Sequence, residues 1–216
     1  MQIKVVEKIL SANEAAAADN RALFEKNGVA VVNMMSSPGS GKTSLVERLA
    51  GLAAGKCAVA VVVGDVATVS DAQRIAKHDI PVVQIETGGA CHLDASTVNE
   101  ACLSLDLPSV DVLIIENVGN LVCPAAFDLG ENKRVVVASV PEGDDKVEKY
   151  PHMFQSADLV ILNKVDLLDA AGFDLDKFRS QLDDVNPDCP LLQTSCTTGE
   201  GTEAWADWVM SLSDKC

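Results

Sequence analysis

The sequence predicts an α/β fold in which helices cover both faces of a mainly parallel sheet. Short apolar runs rich in Val and Ile alternate with helical patterns along the chain, which is typical of βα crossovers. Hydrophobic residues make up 48% of the chain and aromatic residues 4%, as expected for a buried sheet covered by Ala-rich helices. The 216 residues show no linker or repeat, so we expect a single domain over residues 1–216.

Residues 1–28 are predicted to be an N-terminal extension packed on that domain, with a strand over 3–6 and a helix over 12–26. Ser11 and Glu14 are spaced as a capping box, and Gly28 is a typical helix stop. Further strands are predicted at residues 29–35, 58–63, 82–85, 110–115, 134–140, 159–162 and 191–194. Further helices are predicted at residues 42–54, 70–77, 95–105, 147–155, 175–183 and 203–212. Because ligands bind beyond the carboxyl ends of parallel strands, the loops that follow the strands are expected to carry the chemistry.

Charge and cysteine usage limit the class of protein. The formal net charge of −15 disfavours a nucleic-acid partner, because phosphate backbones repel an acidic surface. No apolar run approaches the ~20 residues that span a bilayer, and the first residues do not resemble a secretory signal. We therefore expect a cytoplasmic protein without a membrane partner. The seven cysteines are then expected to be reduced thiols rather than a disulfide framework.

The first apolar run after the extension leads into SSPGSGKT, residues 36–43, which matches the phosphate-binding P-loop except that Ser36 replaces the first glycine. Gly39 and Gly41 allow backbone N–H groups to surround a phosphate at a helix N-terminus. Lys42 is expected to neutralise the β- and γ-phosphates, with a catalytic role, and the Thr43 hydroxyl to bind Mg²⁺. The sequence thus predicts a P-loop NTPase fold. The phosphate contacts are expected from Pro38, Gly39, Ser40, Gly41, Lys42, Thr43 and Ser44.

The strand predicted at 159–162 leads directly into Asn163, Lys164, Val165 and Asp166, the N-K-x-D pattern of guanine recognition. The Asp166 carboxylate can accept hydrogen bonds from the ring N1–H and the exocyclic amine of guanine, a pair that adenine lacks. Lys164 can lie on the ring face, and Asn163 can steady the loop. Ser195 and Cys196 stand where GTPases have the start of a Ser-Ala-Lys loop, whose backbone contacts guanine. The predicted nucleotides are therefore GTP and GDP.

Acidic residues at two further strand ends indicate a magnesium site and a hydrolytic site. Glu116 begins an E-x-x-G segment that resembles the D-x-x-G switch of GTPases, so it is expected near Mg²⁺, with the Gly119 N–H at the γ-phosphate. Asp65 is a second candidate for the magnesium shell. Asp71 is expected either to orient the attacking water or to cap a helix. Because Asn120 and not Gln follows Gly119, we expect slow intrinsic hydrolysis.

Cys91 and His92 follow two glycines, and Cys123 lies seven residues after Glu116. Thiolates and an imidazole suit Ni²⁺ or Zn²⁺, and the two loops would meet if the strands before them were neighbours in the sheet. Spacing alone favours a structural role for these residues. Three ligands also leave a tetrahedral ion incomplete, which a symmetric dimer would remedy by pooling two sets.

Five segments together resemble the HypB family of hydrogenase nickel-incorporation GTPases, of the SIMIBI class. They are SSPGSGKT, ETGGACHLDA, IIENVGNLVCPAAFDLGE, EGDDKVEKYPHMF and ADLVILNKVDLL, in this order, and the similarity covers roughly residues 8–212. The resemblance implies that Cys91, His92 and Cys123 bind nickel or zinc at the interface of a homodimer favoured by GTP. It also implies delivery of nickel to the large-subunit precursor of nickel–iron hydrogenase, with the nickel-binding protein HypA as a partner.

The resemblance has one departure and leaves alternatives. Many family members carry an N-terminal cysteine-rich or histidine-rich nickel motif, whereas the residues of this sequence include no cysteine before position 57 and no histidine before position 78, so tight nickel storage is not expected. His78 and His152 are expected at the surface or in structural roles. The alternatives are a urease-type nickel accessory GTPase, a cobalamin-enzyme chaperone GTPase, a regulatory GTPase that binds metal without delivering nickel, a metal buffer with a vestigial nucleotide site, and a P-loop kinase.

Overall fold

The computed structural model describes residues 3–65 and 70–216, with side chains from residue 11 onward. Residues 1–2 of the predicted extension and residues 66–69, between Asp65 and Asp71, lie outside this part. The strands are β1 (Ala30–Ser36), β2 (Val59–Asp65), β3 (Val82–Glu86), β4 (Val112–Gly119), β5 (Lys133–Ser139), β6 (Leu159–Asn163) and β7 (Leu191–Thr194). The helices are α1 (Ile3–Asn27), α2 (Lys42–Ala53), α3 (Ser70–Ala76), α4 (Ala95–Cys102), α5 (Lys146–Lys149), α6 (Pro151–Gln155), α7 (Leu168–Ala171), α8 (Leu175–Val185) and α9 (Thr202–Met210).

The seven strands of the described residues form one sheet in the order β3-β2-β4-β1-β5-β6-β7. Every neighbouring pair is parallel, which confirms the predicted sheet. Strands β2, β3 and β4, which follow β1 in the chain, lie on one side of β1 in the sheet. Strands β5, β6 and β7 lie on its other side. The loop after β1 therefore lies at the point where the strand order reverses, where parallel sheets bind ligands.

Helices pack on both faces of the sheet, as the sequence predicts. On one face, α2, α3 and α9 bury a cluster with Val32 and Met34 of β1, and the fully buried Trp205 donates from its ring N–H to the Leu45 carbonyl over 3.2 Å. On the other face, α1 and α4 cover β2 and β4, while α6 and α8 cover β5 and β6. Among the residues described, no helix combines the length and apolarity needed to cross a bilayer.

The N-terminal extension differs from the prediction, because a single helix runs from Ile3 and the strand at 3–6 is wrong. The β-branched residues there favour a strand, but the apolar spacing of Ile3, Val6 and Leu10 also fits a helix. Ser11 lies inside this helix, so the predicted capping box is wrong as well. Gly28, with φ of 63°, ends the helix as predicted.

Buried asparagine fixes α1 on the domain. The Asn20 side-chain amide donates to the carbonyls of Ala95 and Leu129 over 2.8 and 2.9 Å, and it is fully buried. A buried amide with both partners satisfied specifies one position for the helix. The extension is therefore held against the loops before α4 and β5.

Most other bounds differ from the prediction by one to three residues, and two elements differ in kind. Strand β4 continues through residues 116–119, which were predicted as a loop. The buried Asn117 amide donates to Asn33 Oδ1 of β1 over 3.1 Å, and this contact stabilises the extra strand length. The single helix predicted at 147–155 is two helices, α5 and α6, because the chain leaves helical geometry at Tyr150, directly before Pro151.

The cysteines also require a correction, because Cys57 and Cys216 form a disulfide across 159 residues. Turns after α9 return the chain toward the start of β2, and the Lys215 ammonium donates to the Asn27 carbonyl over 3.2 Å. The sequence could not predict this pair, since it depends on the path of the last residues. The other five cysteines are free thiols, as expected: Cys91, Cys102, Cys123, Cys189 and Cys196.

Candidate nucleotide and metal site

A cavity of about 450 Å³ opens at the carboxyl edge of the sheet. The loops and strand ends that follow β1, β2, β4 and β6 contribute to its wall. Its lining includes these predicted site residues: Pro38, Gly39, Gly41, Lys42, Thr43, Ser44, Asp65, Asp71, Glu116, Gly119 and Lys164. The structure therefore brings most of the predicted phosphate and magnesium residues to one place.

The P-loop takes its shape from glycine and from a contact with β6. Gly39 and Gly41 have φ of 76° and 102°, which side-chain-bearing residues rarely adopt. A Cβ at Gly41 would also lie 2.3 Å from Asn163 Nδ2. That amide donates to the Ser40 carbonyl over 2.9 Å. Asn163 thus steadies the P-loop itself, which extends its predicted role.

Lys42 is buried at the start of α2, and its ammonium donates to Ser36 Oγ over 2.6 Å. Burial lowers the pKa of Lys42, while the Glu116 carboxylate opposes that shift. Ser36 is the position where the P-loop pattern departs from glycine, and the hydroxyl gives the buried ammonium a partner inside the protein. The substitution therefore fits a P-loop lysine.

Glu116 lies at the centre of the predicted magnesium site. Thr43 Oγ1 donates to Glu116 Oε1 over 2.7 Å, whereas the buried Oε2 has no hydrogen-bond partner among the described residues. Burial raises the pKa of Glu116, and the Lys42 charge opposes that shift. A hydroxyl and a carboxylate with an unpartnered buried oxygen are hard oxygen ligands of the kind that Mg²⁺ prefers. Asp65 lines the same cavity.

The end of β4 contacts the P-loop directly. A Cβ at Gly119 would lie 2.9 Å from the Pro38 backbone. Only glycine fits here without displacing the P-loop. The predicted γ-phosphate sensor is therefore in van der Waals contact with the loop that would hold the phosphates.

Asp71 lies in the first turn of α3 and lines the cavity, and its carboxylate pairs with Arg74 over 3.3 Å. Arg74 also forms an ion pair with Glu47 and donates to Ser44 Oγ over 3.0 Å. Arg74 was not among the predicted site residues, although its spacing of three residues from Asp71 on a helix is typical of a pair. The choice between catalysis and a structural role for Asp71 stays a prediction.

Glu142 is a second residue of this region that was not among the predicted site residues. Its two carboxylate oxygens accept from Ser37 Oγ and Ser139 Oγ, each over 2.6 Å. These bonds join the P-loop to the end of β5. Glu142 belongs to the quoted segment EGDDKVEKYPHMF, but nothing in that segment indicates which residue it contacts.

The predicted guanine residues lie on the loops after β6 and β7. Lys164, with φ of 62°, donates from Nζ to the Gly39 carbonyl over 2.7 Å, and Asp166 is exposed beside it. Ser195 is buried, and its backbone N–H donates to the Glu200 carbonyl over 2.9 Å.

Cys196, the other residue predicted on the loop after β7, is fixed through its backbone. The Arg48 guanidinium donates to the Cys196 carbonyl, from Nε over 3.0 Å. Burial raises the pKa of the Cys196 thiol to about 11, so this thiol stays protonated near neutral pH. Both loops are thus fixed by hydrogen bonds to the protein, with the Asp166 carboxylate open to a base.

Cys91, His92 and Cys123 come together as predicted, with one ligand atom of each within 4.8 Å of the others. Cys91 Sγ lies 3.6 Å from His92 Nδ1. Cys91 is exposed, whereas His92 and Cys123 are partly buried. Two sulfurs and an imidazole within this distance can bind one Ni²⁺ or Zn²⁺ ion, with room for a further ligand.

The predicted reason for this meeting is wrong, because β2 lies between β3 and β4 in the sheet. The loop that carries Cys91 crosses over the end of β2. There Leu93 packs on Gly64, where a Cβ would lie 2.8 Å from the leucine side chain. The Leu93 N–H donates to Asn117 Oδ1 of β4 over 3.2 Å. Packing on Gly64 and a hydrogen bond to β4 therefore bring the loops together.

The environment of the three ligands restricts their positions. His92 stacks on Phe127, with ring centroids 3.8 Å apart. Burial lowers the pKa of His92, which favours the neutral imidazole that binds metal. Asn120 Oδ1 accepts from the N–H groups of Val122 and Cys123 over 2.7 and 3.4 Å. Phe127 was not predicted, and His78 and His152 are exposed as expected.

The chain is similar in sequence to proteins of known family. The family described as "CobW/HypB/UreG, nucleotide-binding domain" matches residues 30–193. The hydrogenase maturation factor HypB of Azotobacter vinelandii is 48% identical over 207 residues, which are 96% of this chain and 68% of that protein. The probable hydrogenase maturation factor HypB of Methanocaldococcus jannaschii is 44% identical over 207 residues, which are 96% of this chain and 94% of that protein.

A solved structure has the same fold. The crystal structure of HypB from Helicobacter pylori in complex with nickel superposes with a TM-score of 0.89 at 40% sequence identity, covering 93% of this chain and 94% of that chain. The similarity thus extends over nearly all of both chains.

Proposed function

This chain belongs to the HypB family of hydrogenase maturation factors, and from that premise we propose that it is a GTP-hydrolysing nickel metallochaperone. Its role is to bind Ni²⁺, or Zn²⁺ in its place, and to help insert nickel into nickel–iron hydrogenase. The convergence of Cys91, His92 and Cys123 within 4.8 Å supports this proposal most directly. The nickel complex of a similar protein agrees with it.

GTP is the nucleotide that the loops around the cavity fit. The exposed Asp166 carboxylate is free to accept from the N1–H and exocyclic amine of guanine. Lys42 provides positive charge for the phosphates, and Gly39 and Gly41 direct backbone N–H groups toward them. When it is bound by Thr43 and Glu116, Mg²⁺ supplies further charge stabilisation for phosphoryl transfer.

Hydrolysis by the isolated protein is expected to be slow. Ras-type GTPases orient the attacking water with a glutamine, whereas here Asn120 follows Gly119 and its oxygen already accepts backbone N–H groups. Asp71 remains the candidate for orienting water, with Arg74 fixing its carboxylate. We expect a turnover of roughly 10⁻⁴ to 10⁻² s⁻¹, the range of intrinsic GTPases.

Strand β4 and the residues after it link the nucleotide to the metal. Glu116 contacts the magnesium ligand Thr43, and Gly119 contacts the P-loop. One residue later, Asn120 accepts from the N–H of Cys123. A shift of Gly119 on loss of the γ-phosphate would move Asn120 and thereby Cys123. GTP hydrolysis would then convert tightly held nickel into transferable nickel.

A homodimer favoured by GTP would complete the metal coordination. Three ligands per chain leave a tetrahedral ion incomplete, and a two-fold axis pools two sets. Val122, next to Cys123, is 63% exposed and lines an apolar groove of about 470 Å³ with Tyr150 and Met153. An exposed apolar surface beside the ligands suits a protein partner. HypA and the hydrogenase large-subunit precursor are the further partners that we propose.

The test is a Ni²⁺ titration of the purified protein with GDP and with a non-hydrolysable GTP analogue, reading metal stoichiometry and mass together. With the Cys57–Cys216 disulfide intact, we expect nickel binding that changes between the two states and is lost in Cys91→Ala and His92→Ala. Cys189→Ala, in the core, and His78→Ala, on the surface away from the groove beside Val122, are the matched controls and should bind nickel normally.

Two outcomes would count against the proposal. Nickel affinity that is identical with GDP and the GTP analogue would refute the coupling through β4. Nickel binding that is unchanged in Cys91→Ala would show that Cys91, His92 and Cys123 do not form the nickel site. A parallel phosphate-release assay should show turnover below ~1 s⁻¹ that is lost in Lys42→Ala and kept in Lys56→Ala.

A further inference from the structure

A second group of metal-ligating side chains lies at the opposite, amino edge of the sheet. Cys57 and Asp111 stand just before β2 and β4, and Cys216 reaches them from the turns after α9. One carboxylate oxygen of Asp111 and the two sulfurs all lie within 4.8 Å of one another. The two cysteines are joined as a disulfide, so the group has two chemical states.

The Asp111 carboxylate is fixed beside the two sulfurs by the backbone. Its Oδ2 accepts from the Ala58 N–H over 2.8 Å, and its own N–H donates to the Ala58 carbonyl over 2.8 Å. This pairing fixes the carboxylate beside Cys57, the residue before Ala58. A carboxylate held in this way by a backbone N–H retains lone pairs for a cation.

The position of Cys216 does not depend on the disulfide alone. The Cys216 N–H donates to the Ser213 carbonyl over 3.3 Å. The neighbouring Lys215 ammonium holds the Asn27 carbonyl over 3.2 Å. After reduction the Cys216 thiol should therefore stay close to Cys57. Cys216 is exposed, and Cys57 lines a cavity of about 460 Å³, so thiols and hydrated ions have access.

We propose that Cys57 and Cys216 in the dithiol state, together with Asp111, form a second site for a thiophilic divalent cation such as Zn²⁺ or Ni²⁺. Two thiolates and a carboxylate, with one water, complete a tetrahedral shell for Zn²⁺. Oxidation of the pair to the disulfide closes this site, because both sulfurs then lose the charge that binds metal. The proposal is independent of the nickel-delivery function.

The chemistry of the switch balances with an ordinary cellular thiol couple. A thiolate of a dithiol reductant attacks one sulfur of the disulfide and releases the other as a thiolate, forming a mixed disulfide. The second thiol of the reductant displaces the remaining cysteine, and the reductant leaves as its own disulfide. Two electrons and two protons reach the protein. Binding of the cation then releases the two thiol protons.

The site should not respond to the nucleotide. Strand β2 has 7 residues, and at about 3.3 Å per residue its two ends lie roughly 20 Å apart. The P-loop and Cys91 are at the carboxyl end, whereas Cys57 is at the amino end. GDP and a GTP analogue should therefore leave metal binding here unchanged.

The experiment uses the full chain with Cys91→Ser and Cys123→Ser, which removes the first metal site. After reduction and anaerobic removal of the reductant, a Co²⁺ or Zn²⁺ titration should show one bound ion per chain. Adding Cys216→Ser should abolish this binding, and adding Asp111→Asn should weaken it at least 10-fold. Adding Cys189→Ser, a cysteine elsewhere, should leave it intact.

Oxidation gives an independent readout on the same protein. Of the seven cysteines in the chain, five remain in this background. Oxidation by glutathione disulfide should join Cys57 to Cys216 and lower the number of titratable thiols from five to three. Metal binding should disappear with those two thiols and return on reduction. Absence of a bound ion in the reduced background protein, or binding that survives Cys216→Ser, would overturn the proposal. Neither result would bear on nickel binding at Cys91.

Discussion

The nucleotide cavity and the Cys91–His92–Cys123 loops lie at the same edge of the sheet, but they are built differently. In the cavity, Lys42 and Glu116 are buried and bonded to neighbouring side chains. In the metal loops, Cys91 is exposed and its position depends on the packing of Leu93 beneath it. A buried, hydrogen-bonded site suits tight binding of GTP, whereas loops with an exposed ligand, held by the packing of Leu93, the His92–Phe127 stack and a few hydrogen bonds, can change geometry and release a metal.

Asn117 connects the two regions. Its side chain donates to Asn33 of the central strand and accepts from the N–H of Leu93, and it lies between Glu116 and Gly119 on β4. A movement of β4 toward or away from a phosphate would therefore reach the Cys91 loop as well as Cys123. The contrast predicts that some substitutions will affect one region and spare the other.

The largest such effect is expected from Asp166→Asn, which acts on the nucleotide alone. The amide cannot accept both guanine N–H groups, so GTP and GDP affinity should fall about 100-fold or more. Its NH₂ group can donate to the extra carbonyl of xanthine, so affinity for xanthosine diphosphate should rise. Isothermal titration with each nucleotide measures both changes, with Asp169→Asn as a surface control.

Nickel affinity without nucleotide should be unchanged in Asp166→Asn, because Asp166 lies outside the metal loops. If GDP binds Asp166→Asn as it binds the parent protein, the N-K-x-D assignment is wrong. If nickel affinity falls in parallel, the two regions are less separate than the structure indicates.

The same contrast explains how much could be predicted from the sequence. The P-loop is a continuous segment whose geometry follows from Gly39, Gly41 and the flanking strand and helix, so spacing alone places Lys42 and Thr43. Residues that act through long-range contacts were missed, as with Glu142 on Ser37 and Arg48 on Cys196. No local pattern encodes such contacts.

The metal loops were predicted in part. The ligand identities were predicted, but the reason for their meeting was wrong, since β2 separates the strands before them. Strand order depends on how the whole sheet assembles, and Gly64 has no local feature that indicates contact with Leu93. The strand predicted at 3–6 failed for a local reason, because its β-branched composition favours a strand whereas its apolar spacing fits a helix.

A tenfold effect is expected from Gly64→Ala, which tests the support of the metal loops. The new methyl would lie 2.8 Å from Leu93, so the loop must move and nickel affinity should fall about 10-fold. GDP affinity should change less than 3-fold, because the methyl is directed at Leu93. Nickel and GDP titrations of the same preparation measure the two changes in affinity side by side.

Gly51→Ala is the matched control for this change, because a Cβ there meets no atom within 4 Å and the residue lies in α2. It should keep both affinities and gain stability by about 0.5–1 kcal/mol. Equal nickel affinity in Gly64→Ala and Gly51→Ala would show that Leu93 does not set the loop position.

The smallest effect is expected from Arg48→Ala, which loosens the nucleotide region at its exposed rim. Arg48 donates to the Cys196 carbonyl from both Nε and Nη2. The loop also has the Ser195 bond to Glu200. Loss of one exposed contact should therefore weaken GDP binding only about 3-fold, or ~0.7 kcal/mol. Fluorescence titration with a labelled GDP resolves such a change.

Arg48→Lys should recover part of this loss, because an ammonium can still donate one hydrogen bond to the carbonyl. Nickel affinity should be the same in all three proteins. A loss of GDP affinity above 30-fold in Arg48→Ala would mean that the loop after β7 is not independently held by Ser195. The geometry of the loop after β7 would then depend on the Arg48 side chain alone.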